Sequence, residues 1–205
     1  MQISSSSFNN AVEQLSSLPG IGKKTALRLV LHLLNRPNED LKHFGAAFTD
    51  LAAHINYCQN CFYISEAPLC TVCNNGGRTD DIICVVENAL DVISIENTNQ
   101  FKGKYHVLGG IISPMEGVGP NDIRVNELIE RVKKQNTKEL IMALSTTMEG
   151  DATNFYIYKK LKDLNVQIST IARGIGIGDE LEYTDELTLG RSILNRIPFE
   201  NTLTL

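Results

Sequence analysis

The chain of 205 residues contains no tryptophan, and no apolar run approaches the roughly 20 residues that a membrane-spanning helix requires. Its first residues, MQISSSSFNN, lack the basic start and apolar core of a signal peptide. The pattern G-x-x-x-x-G-K-[ST], whose backbone cradles nucleotide phosphates, does not occur. We therefore expect a cytoplasmic protein that has no membrane segment and is not a P-loop nucleotidase.

A large excess of one charge is also lacking, since the net charge is −5, but the charges are unevenly distributed. Residues 1–36 carry four basic residues and one acidic residue, a net charge of +3. Residues 79–205 carry 13 basic and 19 acidic residues, a net charge of −6. Hydrophobic residues make up 42% of the chain, so general disorder is excluded. The basic head permits contact with nucleic acid, and the acidic body disfavours it.

Helices are predicted at residues 8–17 and 23–34, joined by the turn LPGIG, and a third at residues 38–54. The second helix is apolar around most of its circumference. So small an N-terminal segment cannot bury such a helix by itself, and we expect the helix to pack against another subunit.

The turn between the first two helices resembles a helix-hairpin-helix. Gly20 and Gly22 let the turn come close to a phosphate, and the following helix offers free N–H groups and a positive dipole end. Lys23, Lys24 and Arg28 lie on or near that helix N-terminus, where they can neutralise phosphates without reading bases. The alternative is an ordinary turn with a solvated basic edge. The sequence favours contact with DNA.

Four of the five cysteines, Cys58, Cys61, Cys70 and Cys73, form the pattern C-x2-C-x8-C-x2-C. Two such knuckles can surround one Zn²⁺ with four thiolates, which leaves no open position, so the predicted zinc is structural. Two disulfides are the alternative, but cytosolic thiols stay reduced. The fifth cysteine, Cys84, lies in an apolar segment and is predicted to be an inert core residue.

From Asp81 onward, predicted strands and helices alternate, which indicates an α/β domain with a mostly parallel sheet. The strands are predicted at residues 82–86, 105–108, 139–144 and 166–171, and the helices around 88–96, 122–134, 151–163 and 187–195.

Carboxylates follow two of these strands. Glu87 ends the first, and the stretch TTMEGD places Glu149 and Asp151 after the third. Carboxylates at the ends of neighbouring strands can hold Mg²⁺ for phosphoryl chemistry.

The order of these parts resembles the RecR family of bacterial recombination mediators over essentially the whole chain. The segments that carry the resemblance are LPGIGKKTALRLVLHLL, the four-cysteine spacing, VLGGIISPMEGVGPNDI at 107–123 and ARGIGIGDELEYTDELTL at 172–189.

The resemblance implies four parts: a helix-hairpin-helix domain at 1–54, a four-cysteine zinc finger at 55–78, a Toprim domain at 79–172, and a C-terminal segment with a Walker B-like loop and a helix at 173–205. It also implies dimers or ring-like tetramers around single- or double-stranded DNA. Such proteins act with RecO, and in many bacteria with RecF, to load RecA onto single strands coated by SSB.

Catalytic Toprim domains carry a Glu after the first strand and Asp-x-Asp at a later one. Glu87 matches the first position and Asp151 the last, but Glu149 replaces an aspartate. Glutamate can still bind a hard cation, so weak Mg²⁺ binding remains compatible with the sequence. The chain has no room for the separate domain that usually carries a topoisomerase's nucleophilic tyrosine. We therefore interpret the three carboxylates as a surface for a basic partner, which the resemblance identifies as RecO.

The glycines of RGIGIGDELEY, Gly174, Gly176 and Gly178, invite a nucleotide-binding interpretation. No strand–GxGxxG–helix unit with a later acidic residue accompanies them, and residues 181–185 support a Walker B strand only loosely. A structural loop is favoured.

The leading hypothesis for the whole chain is a non-enzymatic DNA clamp. The alternatives are a Mg²⁺-dependent Toprim nuclease and a zinc scaffold that binds only protein.

Overall fold

The structure, a computed structural model, describes residues 5–135 and 137–202, and the chain divides into two compact units after Ile55. The first unit is helical. Its helices are α1 (Ser6–Ser16), α2 (Lys23–Leu34) and α3 (Asn38–His54). Ser5 is the N-cap of α1, since its hydroxyl accepts a hydrogen bond from the Phe8 N–H at 3.4 Å.

The first unit has very little core of its own. Among its described residues, only Ala26 and Val30 of α2 are buried. Apolar side chains of all three helices line a groove of about 600 Å³ within the unit, including Phe8, Leu34 and Phe44.

The second unit is an α/β structure that carries the cysteine-rich segment at its start. In chain order, its elements are β1 (Asn56–Tyr57), β2 (Ile64–Ser65), α4 (Thr71–Asn74), β3 (Ile82–Val86), α5 (Ala89–Asn97), β4 (Lys104–Val107), α6 (Val125–Lys134), β5 (Glu139–Ala143), α7 (Met148–Leu161), β6 (Gln167–Thr170) and α8 (Glu186–Leu194). Short 3-10 turns occur at Pro114–Glu116, Leu181–Tyr183 and Phe199–Thr202.

The main sheet has the order β4-β3-β5-β6, and all of its neighbouring strands are parallel. The predicted mostly parallel sheet is thus confirmed. The chain leaves β3 for β4 on one side and returns to β5 on the other, so the strand order reverses between β3 and β5. In open α/β sheets, the crevice at the carboxyl ends of such a pair is the usual place for a ligand.

Two apolar clusters cover the sheet. The first packs residues of β3 and β5, such as Ile83 and Leu140, against Leu128 of α6 and Ile157 of α7. The second packs Cys84, Val86, Tyr105 and Val107 against Cys58, Cys61, Cys70 and Val72. The cysteine-rich segment is therefore part of the layer that covers the sheet.

Three local features differ from the sequence-based expectations. The antiparallel pair β1–β2, with Tyr57 opposite Ile64, has strands of two residues, too short to show periodicity. Helix α6 begins at Val125 rather than near 122. Helix α7 begins at Met148 rather than 151, because the Thr147 hydroxyl accepts the Gly150 N–H at 3.1 Å. No helix in the described part of the chain is long and apolar enough to cross a bilayer.

Candidate functional site

The four cysteines of the CxxC pairs meet at one point. Their sulfur atoms all lie within 4.8 Å of one another, and the Sγ atoms of Cys61 and Cys70 are 3.5 Å apart. A disulfide would need about 2.05 Å, whereas zinc–sulfur bonds of about 2.3 Å place the sulfurs of a tetrahedron about 3.8 Å apart. All four cysteines are free thiols. The donor set therefore fits a tetrahedral metal ion and does not fit the disulfide alternative.

Local backbone geometry presents the thiols. In the first knuckle, the Phe62 N–H donates to the Cys58 carbonyl at 2.9 Å, and Phe62 adopts a left-handed φ of 63°. In the second knuckle, the Cys70 sulfur accepts the Cys73 N–H at 3.4 Å at the start of α4. A hydrogen bond with Cys61 lowers the pKa of the Cys73 thiol to about 5, and the Arg131 cation acts in the same direction.

Cys84 behaves as expected from the sequence. It is 2% exposed, and burial raises the pKa of its thiol to about 12, with the Asp91 charge as a smaller cause. A buried thiol that resists ionisation is a poor nucleophile and a poor metal ligand, so the interpretation as an inert core residue is supported.

Two buried cations, Lys104 and Arg131, contact the cysteine loops, and sequence motifs did not identify them. Arg131 had a detectable signal, because it follows Leu128 by three residues and so lies on the apolar face of α6. Lys104 opens a strand in which all four residues are buried, and the carbonyls that it binds are 29 to 32 residues away in sequence. No local pattern predicts such contacts.

The hairpin turn lies beside an uncapped helix N-terminus. Gly20 has a φ of +77°, a conformation that side chains disfavour, and a Cβ at Gly20 or Gly22 would meet no atom within 4 Å. Gly22 begins α2 without a side-chain cap, so the first-turn N–H groups have no side-chain acceptor. The space beside this helix N-terminus is open.

The basic residues of the turn, Lys23, Lys24 and Arg28, are all exposed. Within residues 5–135 and 137–202, none of the three lies within 4.0 Å of a carboxylate. We call these three residues, with Gly20 and Gly22, the basic rim.

The acidic residues lie at the edge of the sheet where the strand order reverses. Glu87 directly follows β3, and burial raises the pKa of its carboxyl group, with the Asp91 charge as the next cause; a hydrogen bond with Ser145 opposes both. The Ser145 carbonyl also touches Gly150, where an added Cβ would lie 2.0 Å from its oxygen. Ser145 thus links Glu87 to the start of α7, and the glycine between Glu149 and Asp151 is required by packing.

Asp151 is engaged in an ion pair with the C-terminal segment. Its carboxylate accepts hydrogen bonds from Arg173 at 2.6 and 3.3 Å. These hydrogen bonds and the charge of Arg173 hold the pKa of Asp151 below its usual value. The Glu149 side chain is half-buried, and the Glu149 carbonyl accepts the Thr153 hydroxyl at 2.7 Å. We call Glu87, Glu149 and Asp151 the acidic edge.

The glycine-rich loop lines a separate cavity of about 490 Å³. Its wall includes Asp179, Glu180 and Asp185 and no basic side chain, so it repels phosphate. Asp185 caps α8, because its carboxylate accepts the Thr188 N–H at 2.9 Å. These contacts favour the structural interpretation of the loop over nucleotide binding.

Comparison with known proteins covers nearly the whole chain. The family model "RecR, helix-hairpin-helix" matches residues 8–52, "Toprim domain" matches 81–172, and "RecR, C-terminal" matches 174–197. The recombination protein RecR of Porphyromonas gingivalis is 53% identical over 200 residues, covering 98% of this chain and 97% of the relative. RecR of Flavobacterium johnsoniae is 55% identical over 202 residues, covering 98% of both chains. RecR of Parabacteroides distasonis is 54% identical over 195 residues, covering 95% of this chain and 94% of the relative.

Proposed function

The chain belongs to the RecR family of recombination proteins, and from this premise we propose that it is a DNA-binding mediator of recombinational DNA repair. It acts in the cytoplasm with RecO, and with RecF where that protein is present, to promote RecA loading on single strands coated by SSB. It works as a clamp and does not itself cut or join DNA. The observation that carries the proposal is the basic rim, an exposed group of cations around an open glycine turn.

The basic rim binds single- and double-stranded DNA without regard to sequence. Backbone N–H groups at a helix start and the cations of Lys23, Lys24 and Arg28 all interact with phosphate, which is the same at every nucleotide. Neutralising phosphates releases counterions, so binding weakens as the salt concentration rises.

The engagement of Asp151 supports a non-catalytic role. In a catalytic Toprim domain, the carboxylate at this position serves Mg²⁺, whereas here Arg173 of the same chain occupies it. A metal ion would have to displace the guanidinium as well as water. The alternative function is a Mg²⁺-dependent nuclease, and the half-buried Glu87, whose raised pKa suits proton transfer, is the observation that favours it.

The acidic edge instead presents negative charge to RecO. Opposite charges on two partners steer their encounter and fix their register. Weak Mg²⁺ binding at Glu87 and Glu149 is compatible with this role and is not required for it.

The four thiols hold one structural Zn²⁺ per chain, at the donor set Cys58, Cys61, Cys70 and Cys73. Zinc is the ion that four thiolates in tetrahedral geometry favour. We assign this module to residues 55–78, between a hairpin domain at 1–54 and a Toprim domain at 79–172, with the C-terminal segment at 173–205.

A second copy of the chain covers the apolar groove of the first unit. Because Ala26 and Val30 are the only buried residues in the described part of the unit, its own core cannot make it stable. Leu29, Leu31 and Leu34 of α2 stay more than a third exposed. Exposed apolar patches commonly mark protein–protein interfaces, and a symmetric dimer or tetramer ring would place several basic rims around DNA.

Titrating the purified chain into fluorescent single- and double-stranded oligonucleotides over a salt series tests the proposal. The expected result is sequence-independent binding whose affinity falls with salt. Supercoiled plasmid with Mg²⁺ provides the second arm, where we expect no nicked or linear product. Cleavage would establish the nuclease alternative, and absence of binding with and without RecO would leave a protein-only scaffold.

A further inference from the structure

Arg131 of α6 is a buried cation without a carboxylate partner. Its side chain is 7% exposed, and no carboxylate in the described ranges lies within 4.0 Å of it. Its Nη1 donates to the Tyr105 carbonyl at 2.7 Å and the Asn60 carbonyl at 3.3 Å, and its Nε donates to Gln135 Oε1 at 3.0 Å. These acceptors are neutral, so they do not compensate the charge of the guanidinium. A buried charge persists in a fold when a counter-charge is nearby.

The contact with Asn60 points to the counter-charge. Asn60 lies between Cys58 and Cys61 in the first knuckle, and its side-chain amide donates to the Cys73 sulfur in the second, at 3.7 Å. Arg131 therefore binds the backbone of the residue whose side chain reaches a ligand sulfur. Asn60 therefore connects the guanidinium with both cysteine knuckles.

Lys104 holds the second knuckle in a similar way. It is 3% exposed, and its Nζ donates to the carbonyls of Val72, Cys73 and Asn75 at 3.1, 2.9 and 3.0 Å. Its ion-pair partner, Asp80, is 3.7 Å away and 75% exposed, so water screens that pair. Lys104 thus brings a second, poorly compensated cation to the loop that carries Cys73.

Metal loading changes the charge of the cluster. Zn²⁺ binding displaces the remaining thiol protons to water, and the four cysteines become a dianionic zinc tetrathiolate. Two buried cations beside a dianion give a neutral assembly. We propose that Arg131 and Lys104 are the counter-cations of the metal centre, and that they retain zinc by favouring the dianionic loaded state and by tying both knuckles to β4 and α6. This assignment rests on the zinc centre of the proposed function.

Zinc release from the full-length protein to a chromophoric chelator at neutral pH tests the assignment. The variants are Arg131→Met and Lys104→Met, which keep much of the side-chain volume and remove the charge, and Arg131→Lys, which keeps the charge. Val132→Ala is the matched control, because Val132 is a buried neighbour on the same helix that packs in the apolar cluster without the cysteines. Changes in the outer shell of metal sites commonly weaken binding about 10- to 100-fold. We expect about tenfold faster release from either methionine variant, intermediate release from Arg131→Lys, and a wild-type rate from Val132→Ala despite its lower melting temperature.

The controls separate this inference from the zinc assignment. Wild-type protein purified without stoichiometric zinc would contradict the zinc centre itself, whatever the variants do. Stoichiometric zinc, with release from both methionine variants no faster than from Val132→Ala, would overturn the counter-cation role and leave the two residues as packing elements. If Arg131→Met does not fold, Lys104→Met and Arg131→Lys decide the matter by the same rates. The thiolate-to-metal absorbance of the Co²⁺-loaded protein gives a second reading of the same exchange.

Discussion

Arg173, which follows β6, forms a two-point ion pair with Asp151 in the first turn of α7, with contacts of 2.6 and 3.3 Å. The pair joins the C-terminal segment to the acidic edge and leaves Glu149 as the unpaired carboxylate of the TTMEGD stretch among the described residues. Arg173 is also the first cation of the segment RGIGIG, so one residue links two motifs that look independent in sequence. The pattern of a catalytic Toprim site is therefore present in outline, while one of its ligands is already neutralised.

Charge reversal at the acidic edge should weaken the binding of a basic partner and should not change any DNA cleavage. We expect Glu149→Lys to lower the affinity for RecO by about tenfold, or about 1.4 kcal/mol, measured by calorimetry or anisotropy. Asp163→Lys, an exposed change just beyond the other end of α7, is the control and should bind normally. Strand cleavage by the wild type that vanishes in Glu87→Gln would show that the edge is catalytic instead.

Loss of one thiol ligand should remove zinc and much of the stability of the second unit. Structural zinc sites contribute about 10–16 kcal/mol of apparent binding energy in small peptides at neutral pH. Cys58→Ser should therefore lower zinc content to near zero and the melting temperature about twice as much as Cys84→Ser. The latter buries one hydroxyl, at a cost of about 1–3 kcal/mol. Elemental analysis and thermal scans measure both effects, and equal melting temperatures for the two variants would contradict a structural metal.

Much of the fold is predictable because its signals are local. Helix α3 begins after Pro37, which fixes the chain before a first turn rich in acidic residues, and its predicted limits agree with the structure. The two central strands of the main sheet, β3 and β5, read as short, mainly apolar runs between helices, which is typical of strands in the interior of a parallel sheet. The start of α7 at Met148 also has a local signal, because threonine, here Thr147, is a preferred N-cap residue.

The parts that sequence reasoning could not supply depend on distant contacts. The partners of Arg131 include Asn60, 71 residues away, and the order of the four strands follows from packing. The cysteine spacing was sufficient for the metal site because four ligands of one type leave few alternatives. The contacts of Lys104 and Arg131 with the cysteine loops join residues that are tens of positions apart, and so does the ion pair of Arg173 with Asp151. Sequence spacing carries no information about contacts over such separations.

A charge placed in the apolar groove of the first unit should dissociate the oligomer without unfolding the chain. Leu34 lines the groove and is 55% exposed in a single copy, so Leu34→Asp costs a monomer little. In an assembly that covers the groove, the same change buries an unpaired carboxylate at a cost of several kcal/mol. Asn35→Asp, which adds the same charge beside the groove, is the control. Sedimentation should show smaller particles for Leu34→Asp only; a wild-type monomer at micromolar concentration would refute coverage by a second copy.

Buried His106 should make the second unit less stable in mild acid. Burial lowers the pKa of His106 to about 4, the hydrogen bond to the Arg124 carbonyl opposes this, and the charge of Arg131 adds to it. Its Nδ1 is buried without a hydrogen-bond partner. The native state thus keeps the ring neutral, whereas the unfolded chain gains a proton below about pH 6.5. The stability that depends on neutral His106 is fully present above that pH. As the pH falls from about 6.5 to about 4, the free energy of unfolding decreases by up to about 3 kcal/mol.

The test for His106 compares denaturant unfolding of the wild type and His106→Gln at pH 7.5 and pH 5 with zinc present. The wild type should lose about 2 kcal/mol more than the variant over this interval, because glutamine does not titrate. His43→Gln, at an exposed position of α3, should follow the wild type. Parallel pH curves for wild type and His106→Gln would show that another group sets the acid sensitivity.

Removal of cations from the basic rim should weaken DNA binding and leave the fold intact. Each lost phosphate contact reduces the slope of log affinity against log salt by about 0.7 for single strands and about 0.9 for duplex. Lys23→Ala combined with Arg28→Ala should therefore reduce the slope by about 1.4 and about 1.8, to a similar extent for every base sequence. The melting temperature and oligomer size should stay near wild type, because both side chains are exposed and surface charges contribute little to stability.

The matched control for the rim is Lys159→Ala with Lys162→Ala, which removes two exposed cations from the acidic body near the end of α7. If the protein were held to DNA by its total charge alone, both double variants would lose affinity equally, since each changes the net charge by −2. A rim that contacts phosphate predicts a loss for the first variant only. Because a ring can hold DNA by topology and RecO can add contacts, the assay uses short linear oligonucleotides with and without RecO. Unchanged affinity and slope for Lys23→Ala with Arg28→Ala in both settings would reduce the hairpin to a turn between two helices.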